Sequence, residues 1–176
     1  MKWLNKILTH IFFIYIVGTP KKNNLIQTIP VYFNEFEVSL DVKLTDYIHS
    51  LTSILHITKG GNNGDIGDRL PAIFLNNRYL YISTPLNSTY RSYPNTFIYP
   101  NRFHNINIQQ KKISENLFQY TIKIRDYTIH RSINKTPLTL YNAKVYLGDP
   151  WYPAAKVLVK NLVIKSEPTG VVILII

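Results

Sequence analysis

Phe36-Glu37-Val38-Ser39-Leu40-Asp41-Val42-Lys43-Leu44 decides the fold. Val38, Leu40, Val42 and Leu44 are apolar; Ser39, Asp41, Lys43 and Thr45 between them are polar. A period of two puts one face of an extended strand in a core and the other in water. The pattern recurs. Phe118, Tyr120, Ile122 and Ile124 alternate with Gln119, Thr121, Lys123 and Arg125. Further runs cover 54–58, 71–75, 79–82, 103–108, 127–131, 138–147 and 157–164, and Gly, Pro, Asn or Asp fills almost every gap. Asn76-Asn77 reads as a hairpin turn and Asp126 as another. No stretch beyond residue 25 keeps a helical period well; Thr45 to Leu55 comes nearest and is rich in β-branched residues. About ten short strands joined by turns predict an all-β domain over 25–165, a two-sheet antiparallel sandwich or jelly roll.

Composition narrows the function. The 176 residues carry 45% hydrophobic side chains, enough for one domain with a real core. There is no Cys, so disulfide scaffolds, Cys-ligated zinc and thiol catalysis are all excluded. The net charge is +10, but the basic residues are dispersed; Lys21-Lys22 and Lys111-Lys112 are the longest runs. Lys2, Lys6, Lys21 and Lys22 supply +4 before any acid appears. With no zinc-finger or aromatic RNA-binding pattern, a soluble basic surface is expected and nucleic acid is not an expected partner.

The two ends differ from the middle. Met1 to Lys6 is basic, Ile7 to Val17 is apolar, and Gly18-Thr19-Pro20 follows. That order predicts a secretory signal peptide over 1–22, cut within 18–24, and an extracellular protein. An uncleaved anchor, the one route to membrane contact, or a buried β segment are the alternatives. The apolar run is shorter than the roughly 20 residues of a spanning helix. Residues 166–176 end in Val171-Val172-Ile173-Leu174-Ile175-Ile176, an apolar tail readable as a last strand or as the start of something longer. Asn87-Ser88-Thr89 and Asn134-Lys135-Thr136 are N-glycosylation sequons.

Chemistry is expected in the loops. Gly60-Gly61-Asn62-Asn63-Gly64-Asp65-Ile66-Gly67-Asp68-Arg69 holds four of the seven glycines. Asp65 and Asp68, with Asn62 and Asn63, offer oxygen ligands to Ca²⁺, although the spacing is not that of an EF-hand. In the alternative, Asp68 pairs with Arg69 or caps backbone N–H groups. Gly148-Asp149-Pro150-Trp151-Tyr152-Pro153 sets two aromatics between two prolines. Stiffly held Trp151 and Tyr152 suit stacking on a sugar; Trp151 as a plug at one end of the sandwich is the other reading. Asp149 can salt-bridge Arg69 or cap the turn. Tyr90-Arg91-Ser92-Tyr93-Pro94 and Tyr99-Pro100-Asn101-Arg102 hold Tyr and Arg, common at recognition surfaces and in long β loops alike.

Catalysis finds little support. His10, His49, His56, His104 and His130 form no zinc-binding pair, and no nucleophile elbow is present. His56 and His130 read as sheet residues. Glu35 and Glu37 share one strand face at the start of the first predicted strand; they are the one carboxylate pair a glycosidase could use.

Several segments carry a family resemblance. Phe36–Val42 looks like an opening core strand and Arg78-Tyr79-Leu80-Tyr81-Ile82 like a strand crossing the sheet with its own hairpin partner. Phe103-His104-Asn105-Ile106-Asn107-Ile108 is similar to an aromatic–His pair leading an alternating strand. Tyr120–Tyr127 resembles paired strands about a tight turn, with Arg125-Asp126 where a Gly is common. Val145–Pro150 and Val159–Ile164 look like the closing strands. In this order, over about 130 positions from Phe36 to Ile164, they resemble the concanavalin A-like, laminin G-like jelly rolls. Gly67–Ile73, Phe103–Ile108 and Val145–Pro153 together also resemble an uncharacterised group of secreted matrix modules of marine invertebrates. The resemblance implies a non-enzymatic extracellular recognition or adhesion module. Its partner would be a glycan or an extracellular protein, met through loops at one end or the concave face. The acidic triad of the glucanase branch is absent. Ligand binding is expected at Trp151, Tyr152, Asp149, Arg69 and Tyr93, with Ca²⁺, if any, at Asp65 and Asp68.

Overall fold

A computed structural model describes the backbone of residues 10–14 and 18–167, and the side chains of these apart from 10–14, 90–95 and 167. The strands are β1 (His10–Ile14), β2 (Leu25–Tyr32), β3 (Glu35–Leu44), β4 (Leu51–Thr58), β5 (Ala72–Asn76) and β6 (Tyr79–Leu86). They continue with β7 (Thr89–Phe97), β8 (Phe103–Ser114), β9 (Leu117–Ile124), β10 (Tyr127–Asn134), β11 (Leu140–Tyr146) and β12 (Val157–Glu167). Two antiparallel six-stranded sheets pack face to face in the orders β1-β12-β3-β8-β9-β10 and β2-β11-β4-β5-β6-β7. No helix occurs among the described residues. The all-β sandwich read from the alternation is the observed fold.

β3 buries Phe36, Val38, Leu40, Val42 and Leu44 and leaves every residue between them partly exposed. It pairs with β12 on one side and β8 on the other. β12 would lose phase with this core without its bulge. Its register shifts between Lys160 and Val163, and Asn161 takes φ +53°. The extra residue lets Leu162 and Ile164 follow Val157 and Val159 inward. Hairpins turn at Asn77-Arg78, Asn87-Ser88 and Arg125-Asp126; both central residues of the last two have positive φ. That is the primed geometry matching the twist of the strands, reached here without glycine.

Several details depart from the sequence reading. Among the described residues there are twelve strands rather than about ten, and Glu35 opens the third rather than the first. The weak helical candidate Thr45–Leu55 instead leads into β4, whose β-branched and apolar side chains bury on both faces. The first hairpin turns one residue later than Asn76-Asn77. Within the predicted leader, His10–Ile14 pairs with Ser166–Leu162 of β12, and Gly18 bridges Val159. Residues 1–9, 15–17 and 168–176 lie outside the described residues.

Candidate functional site

β4 positions the site. Ile54, Leu55 and Ile57 join the main core, while Ser53, His56 and Thr58 are polar and still fully buried. Segment 148–155 runs beside Ser53 and brings Trp151 onto His56, while Thr58 Oγ1 donates to Gly61 O (2.6 Å) in the glycine-rich loop. Backbone bonds fix the segment: Gly148 N–H donates to Ile54 O (3.0 Å), Ser53 N–H to Pro153 O (2.8 Å) and Ala155 N–H to Ser53 O (3.0 Å). The aromatic layer beneath is close: the His56 ring lies 5.2 Å from Trp151 and 5.8 Å from Phe74, and Phe74 lies 5.2 Å from Tyr152.

Asp149 holds this arrangement. Its Oδ1 accepts the N–H groups of Trp151 (3.0 Å) and Tyr152 (2.8 Å), so it caps the turn. Its Oδ2 lies 2.8 Å from His56 Nδ1, and both side chains are fully buried. His56 Nε2 lies 2.6 Å from the Asp68 carbonyl oxygen. Both ring nitrogens have an oxygen within hydrogen-bond range. Asp149 therefore pairs with His56, not with Arg69.

The glycine-rich loop is tied to the same layer. Asp68 Oδ2 accepts the N–H groups of Gly64 (2.9 Å) and Asp65 (2.8 Å), the capping role of the structural alternative. A Cβ on Gly61 would fall 2.5 Å from the Asp68 carboxylate, so the loop closes only with glycine there. Arg69 donates through Nε to Asn62 O (2.8 Å) and through one terminal nitrogen to Asn62 Oδ1 (3.0 Å) and Tyr152 Oη (3.1 Å). Its guanidinium stacks 5.0 Å from the Phe74 ring centre. The two loops thus form one unit.

Four of the expected ligand-binding residues, Trp151, Tyr152, Asp149 and Arg69, meet here. They divide by burial. Asp149 and Arg69 lie inside with their bonds taken, so they are posts; Trp151, 38% exposed, and half-buried Tyr152 are the surface. Tyr93 lies on β7, and its side chain is outside the described residues. Asp65 and Asp68 point to different tasks: the exposed Asp65 carboxylate sits 3.2 Å from Lys59 Nζ, and Asp68 is buried. Among the described residues no three His, Asp or Glu gather as metal ligands.

The two sequons fare differently. Asn87 is exposed at its turn, its Nδ2 donating to Ile133 O (3.0 Å). Asn134 is buried, and its Nδ2 donates to Gln110 Oε1 (2.8 Å). Glu35 and Glu37 do share the outward face of β3. Glu35 Oε1 accepts the Lys112 N–H (2.8 Å), while Glu37 accepts from Asn107 Nδ2 (2.8 Å) and pairs with Lys165 (3.3 Å).

Reasoning from residues missed the His56–Asp149 pair. His56 signalled only a sheet position, and its partner stands 93 residues away. It also left unplaced an aromatic hollow at the other end of β4, lined by Tyr47, His49 and Arg78 among others.

The pair makes stability pH-dependent. Burial pushes the Asp149 carboxyl up, but His56, the Tyr152 N–H and Ser53 outweigh it and hold the group below the usual carboxylate range. A lowered native value means the unfolded chain binds the proton more readily, so stability rises with pH there. Asp149's contribution is complete above its unfolded value of about 4 and is lost as pH falls through the lower native value. Urea midpoints measured from pH 6 to 2.5 should fall in that range, and D149N should flatten the fall. A D149N profile as steep as the parent's would assign the acid sensitivity elsewhere.

No family model and no curated protein matches this chain. Solved structures do. The receptor-binding domain of botulinum neurotoxin type G is similar, with TM-score 0.56 and 12% identity over 92% of this chain and 44% of that one. The endo-β-1,4-glucuronan lyase of Trichoderma reesei gives 0.52 and 12%, covering 94% of this chain and 89% of the lyase. The sialidase of Trypanosoma rangeli gives 0.54 and 16%, covering 77% of this chain and 21% of the enzyme. The likeness is one of fold. This chain spans less than half of the toxin chain and about a fifth of the sialidase.

Proposed function

We propose that this protein is a non-catalytic, extracellular carbohydrate-recognition module of the concanavalin A-like, laminin G-like kind. The observation that carries the reading is the Trp151 ring, partly open to solvent and seated on the buried His56–Asp149 pair. A sugar's apolar face gains most from an indole already fixed in place, because little is lost in ordering it. Asn62 on the neighbouring loop, its Nδ2 3.5 Å from Tyr152 Oη, brings polar atoms to the same platform. Names among the similar structures support the class: a botulinum neurotoxin D ligand-binding domain in complex with N-acetylneuraminic acid and the Trypanosoma rangeli sialidase with sialic acid. The engagement of Glu35 and Glu37 by their sheet neighbours supports a role without hydrolysis. The basic and then apolar N-terminus supports export.

A glycan array tests the reading, using folded protein recovered from the medium of expressing cells, with calcium and then with chelator. W151A should weaken the best signal about tenfold, equivalent to about 1.4 kcal/mol. Silence in both conditions, or an unchanged W151A signal, would sink it. A second reading, a protein-interaction module, is favoured by the edge strand β10, which exposes Tyr127 (75%), Ile129 (41%) and Ile133 (37%). A silent array with concentration-dependent association that I129K abolishes would establish that reading instead.

A further inference from the structure

The end of β4 opposite the Trp151 platform carries a second site. The β3–β4 loop, the β5–β6 turn and the end of β7 border an open hollow of about 270 Å³ lined by Tyr47, His49, Asn77, Arg78, Tyr79 and Phe97. Its frame is rigid. Asp46 Oδ1 accepts the Tyr47 N–H (2.9 Å), Asn77 N–H donates to Ile48 O (3.2 Å), and Ile98 N–H donates to Arg78 O (2.9 Å). Asn77 takes φ +58°, a left-handed position that asparagine tolerates, and the turn carries Arg78 to Tyr47. The Arg78 guanidinium lies 5.0 Å from the Tyr47 ring centre. Tyr47 also meets His49 edge-on at 5.2 Å, and Tyr79 meets Phe97 at 5.5 Å.

Arg78 is the cation of this hollow. No Asp or Glu lines the hollow, and among the described residues Arg78 has no carboxylate in ion-pair range. The acid nearest in sequence to the lining, Asp46, is taken by Lys156. A guanidinium over a ring still has N–H groups to offer a planar two-oxygen acceptor, which a carboxylate matches with two parallel bonds. The hollow lies just below the size range of small-molecule sites, about 300 Å³ and upward, so it takes one ring-sized group. The exposed Tyr47 and Tyr79 supply apolar walls against which a pyranose can lie.

We propose that this hollow binds a single carboxylate-bearing sugar residue, its carboxylate on Arg78 and its ring against Tyr47 and Tyr79. The inference rests on the carbohydrate reading above but not on the Trp151 platform, which lies at the other end of the strand. Glucuronate and glucose make the matched probes, since they share a ring and differ by carboxylate against hydroxymethyl. Titrated into full-length protein and followed by amide chemical shifts, glucuronate should bind at least tenfold more tightly than glucose and move the amides of 46–49 and 76–79. R78Q should weaken glucuronate at least tenfold, R78K should recover part of it, and Y47A should weaken it without altering the fold. W151A should leave the glucuronate-induced shifts of 46–49 and 76–79 unchanged. Equal binding of the two sugars, no shift up to tens of millimolar, or an unaffected R78Q would overturn the proposal. Acetate matching glucuronate would also overturn it, showing an anion site blind to sugar. A glycan array that loses signal in W151A while glucuronate fails would defeat this proposal alone; glucuronate binding with a silent array would defeat the Trp151 platform alone.

Discussion

D149A unfolds at markedly lower urea than the parent, with a loss of about 3–5 kcal/mol, the range for removing one partner of a buried pair. Three losses combine. His56 keeps its buried position without an anion, and the Trp151 and Tyr152 N–H groups lose the oxygen that caps them. A void also opens under segment 148–155. D149N separates charge from geometry. The amide oxygen still caps the turn, and the amide N–H groups can donate to a neutral His56 at Nδ1 while Nε2–H donates to Asp68 O. D149N should therefore cost about 1–2 kcal/mol, the scale of a few neutral hydrogen bonds. A loss for D149A below about 1 kcal/mol, where ordinary surface changes fall, would show that the pair does not hold the segment.

G148A is the second large effect. Gly148 takes φ +88°, and a Cβ there would stand 2.3 Å from the backbone oxygen of Lys21. No rotamer relieves a clash with main chain. Lys21 is itself fixed, its N–H donating to Leu147 O (3.1 Å), and Asn23 and Asn24 donate to the carbonyls of Asp149 (3.1 Å) and Gly148 (3.0 Å). Alanine must detach 21–24 or distort the turn bearing Asp149. With the strain of the left-handed position added, the loss should reach at least about 3 kcal/mol. Denaturant unfolding measures it; a variant within about 1 kcal/mol of the parent would show that the N-terminal segment yields freely.

How far the sequence discloses this molecule depends on distance along the chain. β3 and β9 are legible because each answers to one core and one solvent face, and alternation records both. β4 is legible only over 54–58, since the strand buries both faces and its polar members look like interruptions. Pro150 and Pro153 announce a stiff segment holding Trp151 and Tyr152, and Gly61 and Gly64 announce a tight loop. That Asp149 turns inward to His56 while Asp68 caps its own loop depends on which chain passes overhead, and no local pattern encodes that. The Arg78 hollow is hidden for the same reason: Tyr47, Arg78 and Phe97 come from a loop, a turn and a strand end far apart in the chain.

Segment 148–155 gives the two sheets unequal freedom to drift. Each strand of an ordinary sandwich has one row of side chains that sequence change can alter cheaply, as Glu37, Ser39, Asp41 and Lys43 form on β3. β4 has no such row, because the core lies on one side and the strap on the other. Substitutions accumulating over generations would therefore spare β4, the strap and the glycine loop as a block, while the outer row of β3 diverges. Related chains would share the block before they share any wider identity.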